Sequence, residues 1–178
     1  LCNILAPKEN EVLIDACAAP GGKTFTLSEL MNGTGTVYSY DLYKGRVKLI
    51  RAGAYRLGLK NVMASMRDAL SDKCEIDNAD KILCDVPCSG FGVIRRKPEI
   101  RYKDLKEVES LYETQYEILS KSSQFLKSGG VLAYSTCTLN KSENSENVNA
   151  FLKEHPEYTL LSEKTFSSEE NNTDGFYA

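Results

Sequence analysis

The chain has 178 residues, with 22 Lys and Arg against 25 Asp and Glu and a formal net charge of −3 at pH 7. Its 42% apolar and 26% charged residues are those of a soluble globular protein, which excludes general disorder and fibrous repeats. No apolar run approaches the roughly 18 residues of a membrane helix and no secretion leader opens the sequence, so a cytoplasmic protein without a membrane partner is expected. The single histidine, His155, leaves no His-rich metal site, so no metal is expected.

Short apolar runs ending in Asp alternate with longer amphipathic stretches. Val12 to Asp15 predicts a first strand, and Thr24 to Met31 a helix after it. Val37 to Asp41 predicts the second strand, followed by a helix over Lys44 to Leu59 that Gly58 and Asn61 stop. Ile82 to Asp85 is the third strand. Asp104 to Lys127 reads as the longest helix, with Leu105, Val108, Leu111, Tyr112, Ile118, Leu119 and Leu126 on one stripe and Gly129 beyond its end. Val131 to Ser135 is the fourth strand, and Glu143 to Leu152 the last helix, closed by Pro156. Strands with so little polar alternation are buried on both faces. The alternation predicts a doubly wound, mostly parallel α/β sheet in a single domain, 1–178. Both ends read as cut inside apolar stretches, as in a fragment of a longer protein.

In such sheets ligands bind outside the carboxyl ends of the strands, so Asp15, Asp41 and Asp85 are expected to face one crevice. After the first strand come Cys17, Ala18, Ala19, Pro20, Gly21, Gly22 and Lys23, small residues that let a ligand approach the backbone at a helix start. Gly22-Lys23-Thr24 matches the end of a Walker A loop, but Cys17 stands where that motif needs its first glycine. The competing reading is a nucleoside site, because Asp41 lies 20 residues after Gly21, where a ribose diol is gripped. A P-loop-like nucleotide hydrolase is thus the alternative to an adenosine-containing cofactor.

The six cysteines are scattered without a C-x2-C pair and read as reduced thiols. Cys88 follows the third Asp-terminated strand, and Cys137 ends the fourth. Two thiols on one crevice edge suggest covalent catalysis, with Lys23 the candidate cation to favour a thiolate.

DACAAPGGKT, DVPCSG and STCT, in this order and spacing, resemble the S-adenosylmethionine-dependent RNA cytosine-5 methyltransferases of the Sun/Fmu type. Phe91 to Ile100 resembles the bacterial RsmB branch, which methylates a cytosine in small-subunit (16S) ribosomal RNA, and Thr173 to Ala178 is similar to the closing TDGFF segment. The resemblance implies a Rossmann-like class I methyltransferase fold with S-adenosylmethionine as cofactor and ribosomal RNA as partner. It implies that Cys17 to Lys23 wrap the methionine part, Asp41 holds the ribose, Asp68 binds near the adenine, and Asp85 lies between cofactor and base. Cys137 would be the nucleophile and Cys88 would assist product release; thiol chemistry alone does not rank the two. A protonated Asp85 is the candidate acid at ring nitrogen 3. Phe25 and Tyr177 depart from the family's usual residues. The branch's N-terminal RNA-binding domain is absent from this sequence, and a monomer is expected.

Positive charge is local. Lys44, Arg46, Lys48, Arg51, Arg56 and Lys60 run through the second helical stretch without an acid, which reads as a solvated face or an RNA contact. Arg95, Arg96, Lys97 and Arg101 cluster beside the Cys88 loop, with Tyr102 available to stack, and are the candidate phosphate contacts. The stretch beyond Asn140 carries eight acids against three bases and is not expected to touch RNA.

Overall fold

The computed structural model describes residues 1–167 and 173–178; of the acids of the closing stretch, Glu169 and Glu170 lie outside the described residues. The chain divides into two compact units, Leu1–Asp85 with Lys121–Ala133, and Val86–Ser120 with Tyr134–Ala178.

The first unit is built on a five-stranded sheet. A short helix, α1 (Cys2–Leu5), precedes β1 (Val12–Asp15). There follow α2 (Gly22–Leu30), β2 (Thr36–Asp41), α3 (Lys44–Leu57), β3 (Val62–Met66) and β4 (Ala79–Asp85). With β5 (Leu126–Ser135), the strand order is β3-β2-β1-β4-β5. The pairings of β1 with β2 and β4, and of β2 with β3, are parallel. The sheet is therefore mostly parallel, as the alternating pattern predicts. Its central strands are apolar on both faces because helices need to cover both. Leu13, Leu27, Met31, Val37 and Leu83 close one cluster, each with no exposed surface, and Ala18, Ala19 and Ile50 form another with Phe25, Val62 and Ala64.

Two of the differences from the sequence reading bear on the sheet. The edge strand β3 was not expected: its Val-Met-Ala-Ser-Met run holds one β-branched residue and alternates poorly, and it is the β2 backbone that extends it. The long helix, α4 (Leu105–Ser123), ends four residues before Lys127. Nothing in the sequence breaks helical spacing before Gly129, but the Phe125 carbonyl accepts from Ala79 N–H and Leu126 already belongs to β5. Sheet pairing there overrides a continuous apolar stripe.

The second unit contains most of α4, the 3₁₀ turns Phe91–Val93, Pro98–Tyr102 and Lys141–Glu143, α5 (Ser145–Glu154), and the antiparallel pair β6 (Thr165–Phe166) and β7 (Phe176–Tyr177). His155 has a structural place here: its ring stacks on Phe151 with centroids 4.3 Å apart, and Nε2 lies 3.1 Å from Ser120 Oγ.

Candidate active site

In the first unit, the turn after β1 is sewn between neighbouring strands: Ala16 N–H donates to the Leu83 carbonyl (2.9 Å) and Ala18 N–H to the Tyr40 carbonyl (2.8 Å). At the end of β2, Asp41 is buried, and its two oxygens accept from Ala19 N–H (3.3 Å) and Tyr43 N–H (3.2 Å). Arg46 reaches both Asp41 (3.4 Å) and the Ala19 carbonyl (3.0 Å), so turn and strand end move as one piece. Gly21 has φ 115°, and a Cβ on it would sit 2.3 Å from the Phe25 ring; no side chain fits there by conformation or by space. The same ring packs on Gly53 of α3.

Three carboxylates end β1, β2 and β4, but they differ in environment. Asp15 is fully enclosed beneath the turn. Its Oδ2 accepts from Thr24 Oγ1 (2.7 Å), and its buried Oδ1 has no hydrogen-bond partner among the described residues. Burial pushes its carboxyl up to about 7, against the Thr24 hydrogen bond and with the nearby charge of Asp85 adding to the rise. Asp85 is part-exposed and pairs with Lys23 Nζ at 2.7 Å. Burial works against the Lys23 charge, but the field and hydrogen bond of Asp85 outweigh it and hold the ammonium above the ordinary lysine range. The proton of this pair is therefore on Lys23, and Lys23, read from sequence as a cation for a thiolate, has Asp85 as its partner. Burial raises the Cys17 thiol well above the usual range, so within the loop it remains neutral packing. Asp68 is exposed and closes a turn after β3 by accepting from Leu70 N–H (2.9 Å).

These contacts disfavour a P-loop. Its lysine and its hydroxyl must face phosphate and magnesium, whereas Lys23 is bound to Asp85 and Thr24 to the buried Asp15. Three acids around one turn also repel a triphosphate. They suit a ligand with cationic groups.

In the second unit the two cysteines that were singled out meet. Cys88 Sγ lies 3.0 Å from Cys137 Sγ, and Cys137 N–H donates to Cys88 Sγ at 3.2 Å. The hydrogen bond to Cys137, followed by burial, raises the Cys88 thiol, so Cys88 keeps its proton; either sulfur can donate in the contact. Both loops are clamped by residues that the sequence reading missed. Glu143 is completely buried; it accepts from Ser89 N–H (2.7 Å), Gln115 Nε2 (3.0 Å) and Asn140 Nδ2 (3.2 Å). Gln115 also donates to the Pro87 carbonyl (2.9 Å), and Ser89 Oγ to Thr138 Oγ1 (2.8 Å). In sequence, Glu143 is an ordinary acid at a helix start, and no local pattern marks it.

Deleting its carboxylate in Glu143→Ala leaves the buried Ser89 N–H unmet and takes one acceptor each from Gln115 Nε2 and Asn140 Nδ2, which keep the Pro87 carbonyl and the Tyr112 hydroxyl. A loss of roughly 2–4 kcal/mol in unfolding free energy is expected, with Cys88 more reactive toward a thiol reagent as its loop loosens. A loss below ~1 kcal/mol in urea unfolding, with unchanged thiol reactivity, would show that the clamp has no such part.

The basic cluster divides. Arg96 is ion-paired with Asp174 of the closing segment, and Gly175 N–H donates to the Gly92 carbonyl (2.7 Å). A Cβ on Gly92 would lie 2.1 Å from the Gly175 oxygen, so the two backbones touch. Arg95, Lys97 and Arg101 are exposed and make no side-chain hydrogen bond or ion pair among the described residues, and Tyr102 is 83% exposed beside them.

A family model, 16S rRNA methyltransferase RsmB/F, matches residues 2–177. The chain belongs to this family. It is 48% identical over 157 residues to a probable ribosomal RNA small subunit methyltransferase B of Bacillus subtilis, covering 86% of this chain and 35% of that protein. It is 38% identical over 151 residues to a tRNA (cytosine(72)-C(5))-methyltransferase of Pyrococcus horikoshii, covering 84% of this chain and 38% of that one. The chain thus spans a little over a third of these curated relatives. The solved structure of NSun6 from Pyrococcus horikoshii with SFG superposes with a TM-score of 0.87 at 33% identity, covering 99% of this chain and 48% of that one. The Rossmann-like methyltransferase fold expected from the resemblance is the fold observed.

Proposed function

We propose that this chain is the catalytic part of an S-adenosylmethionine-dependent RNA methyltransferase that adds a methyl group to carbon 5 of a cytosine in small-subunit ribosomal RNA. The observation that carries the reading is the pair of thiols 3.0 Å apart, in loops fixed by a buried carboxylate. Two such thiols suit a reaction in which one sulfur must first bond carbon and then leave it.

The residues of the first unit fit the cofactor. The unpartnered, buried Asp15 Oδ1 and the acids around it complement a molecule bearing an ammonium and a sulfonium. Cys17 to Lys23 would line its methionine part, Asp41 its ribose, and Asp68 the adenine end. When bound, S-adenosylmethionine supplies the electrophilic methyl. The protein must make carbon 5 of cytosine nucleophilic. Cys137, as thiolate, adds to carbon 6, and the electron pair moves through carbon 5 to ring nitrogen 3, which takes a proton. The Lys23–Asp85 pair is the acid for that nitrogen, with the proton on Lys23. Carbon 5 then takes the methyl and loses its proton to a base, the carbon–sulfur bond breaks with its electrons returning to Cys137, and ring nitrogen 3 returns its proton to the group that supplied it. Cys88, keeping its proton, donates a hydrogen bond to the departing thiolate and so promotes elimination. Arg95, Arg96, Lys97 and Arg101 would hold phosphates of the substrate, Arg96 once released from Asp174.

The test is covalent trapping on a small-subunit ribosomal RNA hairpin carrying 5-fluorocytidine, with S-adenosylmethionine present. Fluorine prevents proton removal, so an adduct that maps to Cys137 is expected. Attachment at Cys88 would reverse the two roles, and an adduct that forms equally without any target cytosine would refute the reading.

A further inference from the structure

The outer face of α3 has chemistry that the fold does not use. Between Asp41 and Asp68 the sequence places seven Lys and Arg and no acid, leaving the rest of the chain at −10 against a total of −3. Helix α3 buries Val47, Ile50 and Ala54. Lys44, Lys48, Arg51 and Tyr55 follow one another at i, i+4, i+7 and i+11, on a single exposed stripe. Arg51 is fixed: Nε and Nη2 both donate to the Ala64 carbonyl of β3, at 2.9 and 2.6 Å, which ties the stripe to the edge of the sheet. Arg46 is tied to Asp41 and Arg67 to the Ser71 and Lys73 carbonyls. Lys44, Lys48, Arg56 and Lys60 make no hydrogen bond or ion pair among the described residues. Tyr55 is 89% exposed, more than any other large hydrophobic side chain among the described residues.

A helix face that serves only solubility mixes charges and gains from opposite pairs four apart; like charges at that spacing oppose the helix. Lys44 and Lys48 are such a pair, and an aromatic ring left in water gains nothing from burial. Both features become favourable against a polyanion with flat, stackable bases. We propose that the Lys44–Lys48–Tyr55 stripe is a second RNA contact, on which the backbone of the substrate lies along α3 with an unpaired base stacked on Tyr55. This rests on the RNA methyltransferase reading above. The stripe starts three residues after Asp41, so within the first unit it leads away from the cofactor turn, and it serves to hold RNA beyond the modified base.

The experiment is binding of a small-subunit ribosomal RNA hairpin by fluorescence anisotropy at about 50 to 200 mM salt, with S-adenosylmethionine affinity measured on the same preparations. The double variant Lys44→Glu/Lys48→Glu is expected to bind RNA at least about tenfold more weakly and to flatten the log–log salt slope by about 1.5. Tyr55→Ala is expected to lose roughly tenfold with the slope unchanged. Cofactor affinity stays at the wild-type value in both. Lys106→Glu/Lys153→Glu carries the same charge change elsewhere and should have a smaller effect. If the α3 variants bind RNA like the wild type, or no worse than that control, the stripe is not an RNA contact and the proposal is overturned, while the enzyme reading stands. If the wild type binds cofactor but no RNA, the RNA reading fails and the proposal with it.

Discussion

Cys137→Ala is expected to lower methyl transfer by at least about 10⁴-fold, because in the proposed reaction its sulfur is the one that activates carbon 5. Cys88→Ala is expected to fail differently. Without the neighbouring Cys88 thiol, 3.0 Å away in the wild type, the leaving sulfur loses that contact. Covalent enzyme–RNA complex should accumulate with S-adenosylmethionine present, visible as a band that survives denaturing electrophoresis. The double variant should show neither turnover nor adduct. Two variants equally inactive and equally free of adduct would remove the division of roles between the thiols. An active Cys137→Ala would take the nucleophile's role away from Cys137.

Asp15 carries the second large effect, on stability rather than rate. Its folded carboxyl titrates near 7 against an ordinary value of 3.8, chiefly because burial penalises the anion. Between those values the folded chain holds a proton that the unfolded chain has released. Protons bound to the native state in excess mean that stability falls as pH rises through this window. The contribution is greatest below about pH 4 and is lost by pH 7 to 8, on the order of 4 kcal/mol in all. Asp15→Asn, which cannot ionise, should remove it. Urea unfolding of both proteins without cofactor, from pH 4 to 8, should therefore show the variant gaining on the wild type as pH rises. A constant difference between the two across that range would mean that Asp15 is ionised throughout.

The site was legible where its signal is local. An apolar strand that ends in Asp, small residues at a helix start, and a glycine that must take φ 115° are each written in a few consecutive residues. Asp41 could be placed because the chain spacing between a turn and the end of the next parallel strand varies little. The same locality explains the errors. Helical spacing continued past Ser123 with no residue to oppose it, and only the β4 backbone, some 45 positions away in sequence, claimed Leu126 for the sheet. The edge strand β3 had too weak a pattern of its own and takes its form from β2.

What the sequence determined by itself is the set of candidate groups, namely the glycine turn, the acids at the strand ends and two thiols, and a family whose model covers residues 2–177. These follow from backbone preferences and side-chain chemistry, which belong to residues singly or to near neighbours. What only the tertiary structure decided is which group each one answers to. Lys23 is paired to Asp85, 62 residues on, and Cys88 to Cys137, 49 residues on. Ser89 is held by Glu143, 54 residues on, in a site that no local pattern announces. A proton's position depends on burial and on charges a few ångströms away, and those distances exist only once distant segments have packed.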